Sequence, residues 1–278
     1  MISKLLVVAG SGSYPRLVVE GAKRAGVPRV DVVAIRGSTD GKTRRAADRV
    51  LNATIGRIAE AIRALGREGY DGAIFAGQVN PLSLFSGRFE PEVQGWLDAL
   101  SVKNAHTVFS TLISKLAAVG IEMLPASLYM DRNMPGEGQL TERGFTEAER
   151  SDIAHAMRVA HEIGVHDIGQ TVVVKSGMVL AVEAFEGTNR AIRRGGRLGG
   201  RGSIVFKAAR EGHDMRFDIP VAGLKTLKTM HRAGATALAF QAGRQIFLDL
   251  EESIAYANAH GIAIAGIESG LPHAPLRP

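Results

Sequence analysis

The chain has 278 residues, 45% hydrophobic and 22% charged, and no cysteine. Disulfides, thiolate metal centres and cysteine nucleophiles are thereby excluded, and the length suits one large or two modest domains with a proper core. A formal charge of +6 favours anionic partners, while 5% aromatic residues offer little for stacking on nucleic acid, so no nucleic-acid partner is expected. No apolar run approaches the roughly 20 residues that a membrane-spanning helix needs. The opening MISKLLVVAGSGS has a lysine and a short apolar run, but it continues into a glycine loop and reads as a first strand rather than a signal peptide. The expected location is the cytoplasm.

Residues 5–9 read as a buried strand ending in Gly10-Ser11-Gly12-Ser13-Tyr14-Pro15. Leu17, Val18, Gly21 and Ala22 then recur at helical spacing, with Pro15 suited to the first turn. Residues 30–35 give a second strand, and Ile58, Ile62 and Leu65 mark an amphipathic helix. A third strand over 70–76 closes at Gly77-Gln78-Val79-Asn80-Pro81. This alternation predicts an α/β fold whose first domain is a Rossmann-like parallel sheet with right-handed crossovers. A helix over 105–119 and a short strand at 121–124 follow. Residues 133–144 are then polar, with Pro135, Gly136 and Gly138 as breakers.

The second half turns strand-rich after a helix over 147–164. Residues 171–175 and 178–184 read as a hairpin about Ser176-Gly177. Strands are expected at 204–208, 214–221, 237–240, 245–248 and 262–266, with helices over 224–233 and 250–259. The division is therefore an N-terminal domain 1–132, a linker 133–146, a C-terminal mixed-sheet α/β domain 147–270 and a loose tail 271–278.

Several segments carry chemistry. In a strand over 214–221, Met215, Phe217, Ile219 and Val221 would form one face, and Asp214, Arg216 and Asp218 the other. Asp218 and Arg216 would then flank a small anion, or simply form a surface ion pair; Pro220 argues for an edge or a strand end. Gly10-Ser11-Gly12 sits where a doubly wound sheet binds ligands, and is otherwise a tight turn. It is not a dinucleotide fingerprint: Pro15 replaces the third glycine, and the second strand ends at Arg36 without a carboxylate. Glu183 and Glu186 differ in strand parity and converge only if the strand breaks before Gly187. With Thr188 and Asn189 they offer oxygen ligands for Mg²⁺, or a loop that bonds its own backbone. The run Arg193–Arg201, rich in arginine and glycine, reads as a flexible loop, either closing over a pyrophosphate or a solvated linker. Lys207, at a strand end, suits a fixed phosphate contact. His161 and His166 are spaced too widely for two ligands on one helical face, so no zinc site is expected.

Taken in order, these segments resemble the UDP-2,3-diacylglucosamine pyrophosphatase family of the LpxI type. The matching pieces are the strand and Gly10-Ser11-Gly12, Ala76-Gly77-Gln78-Val79, Lys103-Asn104-Ala105-His106-Thr107 and Asp167-Ile168-Gly169-Gln170. Ala181-Val182-Glu183-Ala184, Glu186-Gly187-Thr188 and Arg216-Phe217-Asp218-Ile219-Pro220 complete them. The resemblance implies two mixed α/β domains with the substrate in a cleft between them. It implies hydrolysis of UDP-2,3-diacylglucosamine to UMP and 2,3-diacylglucosamine 1-phosphate in lipid A synthesis, with a divalent metal, typically Mg²⁺. Asp218 is implied as catalytic and, with Glu183, as a metal ligand. Gly10, Ser11, Gly12, Gly77, Gln78, Asn104, His106, Asp167, Gln170, Glu186, Gly187 and Thr188 are implied as substrate contacts, with Lys207 and Arg216 on phosphate oxygens. A lipid-linked UDP-sugar also implies transient contact with the inner-membrane surface.

The chain departs from the family pattern at Asn189 and Gln241, where relatives often carry acids, and at Arg210-Glu211-Gly212-His213, which lacks the usual Pro and Gln. Two alternatives follow: the same chemistry on another UDP-sugar, or a non-catalytic nucleotide-sugar binding or regulatory protein.

Overall fold

The computed structural model describes residues 1–78, 89–102, 105–166, 168–209, 216 and 219–268, with only the backbone of 105 and 106. Two units divide it: Met1–Met130 together with Arg216 form one, and the other described residues from Asp131 onward form the second.

In the first unit, β1 (Lys4–Ala9), α1 (Tyr14–Arg24), β2 (Arg29–Ile35), α2 (Gly41–Ala46), β3 (Arg49–Ala53), α3 (Ile58–Leu65) and β4 (Gly72–Ala76) alternate. Helices α4 (Pro91–Asp98) and α5 (Ala105–Ala118) follow. The sheet order is β3-β2-β1-β4, every pair parallel. Central β1 is covered on both faces, which is why it reads as an unbroken apolar run: Leu5, Leu6 and Val7 are all fully buried. Leu6 shares its cluster with Ile62, Leu65, Ile113 and Leu116 from α3 and α5. Each such side chain contributes about 1.5–3 kcal/mol on burial. The buried Asp31 of β2 is satisfied by Arg29 Nε at 3.0 Å and by the Tyr70 hydroxyl at 2.8 Å.

The second unit runs β5 (Gly138–Gln139), α6 (Glu147–Val165), β6 (Thr171–Lys175), β7 (Met178–Val182), α7 (Thr188–Gly199), β8 (Ser203–Lys207) and β9 (Val221–Gly223). It continues with α8 (Leu224–Ala233), β10 (Ala235–Gln241), β11 (Ile246–Leu248), α9 (Leu250–Ala259) and β12 (Ala263–Ile267). Six strands form a mixed sheet in the order β5-β12-β10-β8-β6-β7, and β9 pairs β11 separately. One face carries Ile192, Leu227, Met230 and Ala257 from α7, α8 and α9. The other carries Ile153, Ala156, Met157 and Ala160 from α6. Helix α6 opens on a capping box: Thr146 Oγ1 accepts from the Glu149 N–H, and Glu149 accepts from the Thr146 N–H. The Glu149 carboxylate also takes two bonds from Arg143, at 2.8 and 3.0 Å, and one from Thr236 Oγ1 at 2.7 Å. The β6–β7 turn is held by Asp152, which accepts from the N–H groups of Ser176 and Gly177.

Four expectations need correction. Residues 41–53 hold a helix and an edge strand where no element was expected. The expected strand at 121–124 reduces to a single bridge between Met123 and Ala73. The arginine–glycine run is helix α7 rather than a flexible loop. Ala191, Ile192, Gly195 and Gly196 form its buried stripe, and a Cβ on Gly196 would lie 2.3 Å from the Ala233 carbonyl oxygen. Glycine here permits helix contact instead of motion. Finally, no continuous strand spans 214–221: Arg216 lies in a turn, and the strand begins only at Val221. Ile219 and Pro220 are both buried, so the alternation of faces fails there, as expected where proline supplies no donor.

Candidate active site

One end of the mixed sheet gathers the polar side chains. Because β6 runs antiparallel to both neighbours, its first residue, Thr171, lies opposite Lys207 at the end of β8 and next to the end of β7. The Glu183 N–H donates to the Thr171 carbonyl at 2.8 Å, carrying the pairing one residue past β7. Gly187, at a φ of 81° that favours glycine, then turns the chain into α7. Thr188 opens that helix with its hydroxyl directed at the sheet end.

Lys207 Nζ donates to Thr188 Oγ1 at 2.9 Å, and Thr188 Oγ1 donates to the Glu183 carboxylate, 2.9 and 3.0 Å from its two oxygens. With that proton committed to Glu183, the Thr171 hydroxyl, 3.3 Å away, is the donor in its contact with Thr188. Lys207 is 4% exposed. An ammonium taken so far out of water needs hydrogen bonds and a nearby anion to stay charged, and the Thr188 hydroxyl and, through it, the Glu183 carboxylate contribute to both. Thr171, wholly buried, did not figure among the expected site residues. Its signal was a lone hydroxyl opening a strand of three valines that ends in Lys175.

Glu186 does not join Glu183. Its carboxylate accepts from Arg194 at 2.6 Å and from the Ala184 N–H at 3.1 Å. Those bonds, Arg194's first, hold it below the usual carboxylate range. The strand does break before Gly187, but the two acids are engaged by different partners. Glu186 thus follows the self-bonding loop reading. Gln170 is half-buried, and its carbonyl accepts from the Ala208 N–H at 2.9 Å. Gln241 Oε1 accepts from the Ala209 N–H at 2.8 Å. Here the amide oxygen accepts from backbone, as a carboxylate oxygen could.

A divalent metal needs hard oxygen donors. Glu183 supplies one, whereas the Thr188 oxygen already accepts from Lys207 and Thr171, and Mg²⁺ is commonly held by only one or two carboxylates together with phosphate and water. Among the described residues no three His, Asp or Glu side chains gather as a complete metal set. The donor chemistry of Glu183 therefore fits Mg²⁺ as one ligand of a set.

In the first unit, the ends of β1 and β4 are bound to each other through backbone. The Ser11 N–H donates to the Gln78 carbonyl at 2.8 Å, and the Gln78 N–H to the Ser11 carbonyl at 3.1 Å. A Cβ on Gly10 would lie 2.6 Å from the Gln78 carbonyl oxygen, and one on Gly77 2.7 Å from that of Ser11. Both glycines are required by this close approach. Gly12, with φ 94°, has open space around it. Arg216 is half-buried in its turn. Asn104, Asp167 and Asp218 lie outside the described residues, as does the His106 side chain and the tail from 271 onward.

The sequence profile of the LpxI N-terminal domain matches residues 4–132, and that of the LpxI C-terminal domain matches residues 136–265. The chain belongs to the LpxI family. A relative named UDP-2,3-diacylglucosamine pyrophosphatase LpxI, from Caulobacter vibrioides, is 31% identical over 280 residues, covering 95% of this chain and 98% of its own. Among solved structures, the biotin carboxylase domain of Hydrogenobacter thermophilus 2-oxoglutarate carboxylase, crystallised with MgADP, ADP and bicarbonate, matches with TM-score 0.29 and 16% identity. That match covers 64% of this chain and 36% of the carboxylase chain. The biotin carboxylase subunit of pyruvate carboxylase gives 0.28 and 12%, over 72% of this chain and 43% of its own. Likeness this weak has no bearing on function. No helix among the described residues is long and apolar enough to cross a membrane.

Proposed function

We propose that this LpxI-family protein hydrolyses the pyrophosphate bond of UDP-2,3-diacylglucosamine, giving UMP and 2,3-diacylglucosamine 1-phosphate for lipid A synthesis. The observation that carries the reading is the 31% identity to a pyrophosphatase of that specificity across 95% of the chain. The sheet-end chemistry is compatible with it. Water adds to one phosphorus, the bond from that phosphorus to the bridging oxygen breaks, and the departing phosphate takes the electron pair. Negative charge then accumulates on the phosphoryl oxygens, where fixed cations and donors in a dry site act most strongly. Lys207 supplies such a cation, with its orientation set by Thr188 and, through Thr188, by Glu183. Arg216 is assigned to a second phosphate oxygen. Asp218 is assigned to the attacking water, as base or as a metal ligand. Glu183 with Asp218 would hold Mg²⁺, which when bound neutralises phosphate charge. The acyl chains place the reaction at a membrane surface, which the protein would approach from the cytoplasm.

Mass spectrometry of products from UDP-2,3-diacylglucosamine, with Mg²⁺ supplied or chelated, tests the reading. Expected are equal amounts of UMP and lipid phosphate with Mg²⁺, neither after chelation, and none from deacylated UDP-glucosamine. Binding without any UMP release would leave only a nucleotide-sugar binding protein, and an Asp218→Ala protein with full turnover would remove Asp218 from the chemistry.

A further inference from the structure

An open groove of about 560 Å³ lies between α7 and α8, and its walls are cationic. Lys225, Lys228 and Arg232 line it from α8, Arg193 faces them from α7, and Thr229 adds a hydroxyl. Asp249 is the one acid in the lining. None of these residues belongs to the Glu183–Thr188–Lys207 network, although Asn189, beside Thr188, also lines the groove.

A row of exposed lysines on one helix is ordinarily a solvated face. Three observations separate this one from that case. First, the cations converge on a concavity from two helices, so their fields add within one small volume. Second, none of the four forms an ion pair among the described residues, whereas Arg16, Lys23, Arg49, Arg63 and Arg143 all do. Lys228 lies over the face of Tyr256, 5.9 Å from the ring centroid. Third, Lys225 occupies the first turn of α8, which contains no acid. A cation there sits against the positive end of the helix dipole, an arrangement that an anion in the groove would relieve.

We infer that this groove binds a phosphate-bearing ligand, in which Arg193 and Arg232 supply forked donors and Lys225 and Lys228 compact charge. The ligand is either a soluble phosphate compound or the headgroup of an anionic lipid. Both present the same oxygens, and the inference does not depend on the reaction proposed above.

Two binding measurements on the full chain test it: calorimetric titration with inorganic pyrophosphate, and co-sedimentation with phosphatidylcholine vesicles with and without phosphatidylglycerol. A K225A/R232A protein should bind at least ~10-fold more weakly in one arm or both, as loss of charge-assisted hydrogen bonds implies. A K42A/R45A protein, which loses equal charge from exposed positions on α2, should match the wild type within about twofold by the same argument. The exchange K225R/R232K, which keeps both charges, should retain binding. Loss confined to pyrophosphate identifies a soluble ligand, and loss on anionic vesicles identifies a lipid headgroup. Equal losses in the two alanine pairs would reduce the effect to bulk charge and overturn the inference. Absence of wild-type binding in both arms would overturn it as well.

Discussion

The two sheet ends differ in what holds them. At the end of β1 and β4 the contacts run chiefly between backbones, the Ser11 hydroxyl adding one bond to the Gln78 carbonyl, with glycines at 10 and 77 admitting the approach. At the end of β6, β7 and β8 they run between side chains: an ammonium, two hydroxyls and a carboxylate in sequence. The first arrangement depends on shape and tolerates many side chains wherever no Cβ intrudes. The second depends on chemistry, and removing Thr188 takes one hydrogen bond each from Lys207, Glu183 and Thr171. A charged network partly buried at a sheet end is weak evidence for stability, since an apolar filling would cost less to bury, and it is the arrangement the proposed reaction uses.

The largest effect that would break this contrast is at Lys207. Lys207→Met should lower kcat/KM by about 100-fold or more, the scale of losing one preorganised donor to a developing oxyanion, as read by UMP release. In the first unit the large effect should fall on stability. Gly77→Ala should cost about 2–4 kcal/mol in denaturant unfolding, from a left-handed backbone and a Cβ 2.7 Å from a carbonyl oxygen. Gln78→Ala should change stability by less than about 0.5 kcal/mol, because Gln78 contributes through its main chain.

Glu149 gives an intermediate case with a pH signature. Burial pushes its carboxyl up, but hydrogen bonds from Arg143, the Thr146 N–H and Thr236 outweigh that and carry it below its ordinary value of 4.5. A carboxyl depressed in the folded state stabilises fully above its unfolded value, and that contribution is lost as pH falls through the folded one. Melting temperature should therefore decline as pH drops below about 4.5, and Glu149→Gln should flatten that decline while lowering stability at neutral pH by about 1–3 kcal/mol. The smallest effect is expected at Glu186→Gln. Its pairing with the exposed Arg194 is a surface contact, and unfolding should shift by no more than about 1 kcal/mol.

Much of this was legible beforehand where one physical signal dominated. The buried strands at β1 and β2, the proline-started α1 and the β6–β7 hairpin all follow from apolar runs and turn residues. Edge strand β3 was not, since Arg49–Ala53 has a single buried residue and so no apolar run. Helix α7 was misread because glycine in a basic run suggests flexibility, whereas Gly196 is small so that α7 can lie against Ala233. The strand expected at 214–221 followed alternation across Ile219 and Pro220, which tertiary burial overrides. At the site, sequence pointed to Glu183, Thr188 and Lys207 separately. Their connection through one hydroxyl, and the part of Thr171 in it, depends on strand register that no local pattern encodes.

The central claim is that the Thr188 hydroxyl aligns a buried ammonium for phosphate. The measurement that tests it most directly is the steady-state rate of UMP release from UDP-2,3-diacylglucosamine by Thr188→Ser and Thr188→Val proteins beside the wild type. The account predicts near-normal kcat for serine, which keeps the relay, and a loss of about 10²-fold or more for valine. Wild-type kcat in the folded valine protein would contradict it.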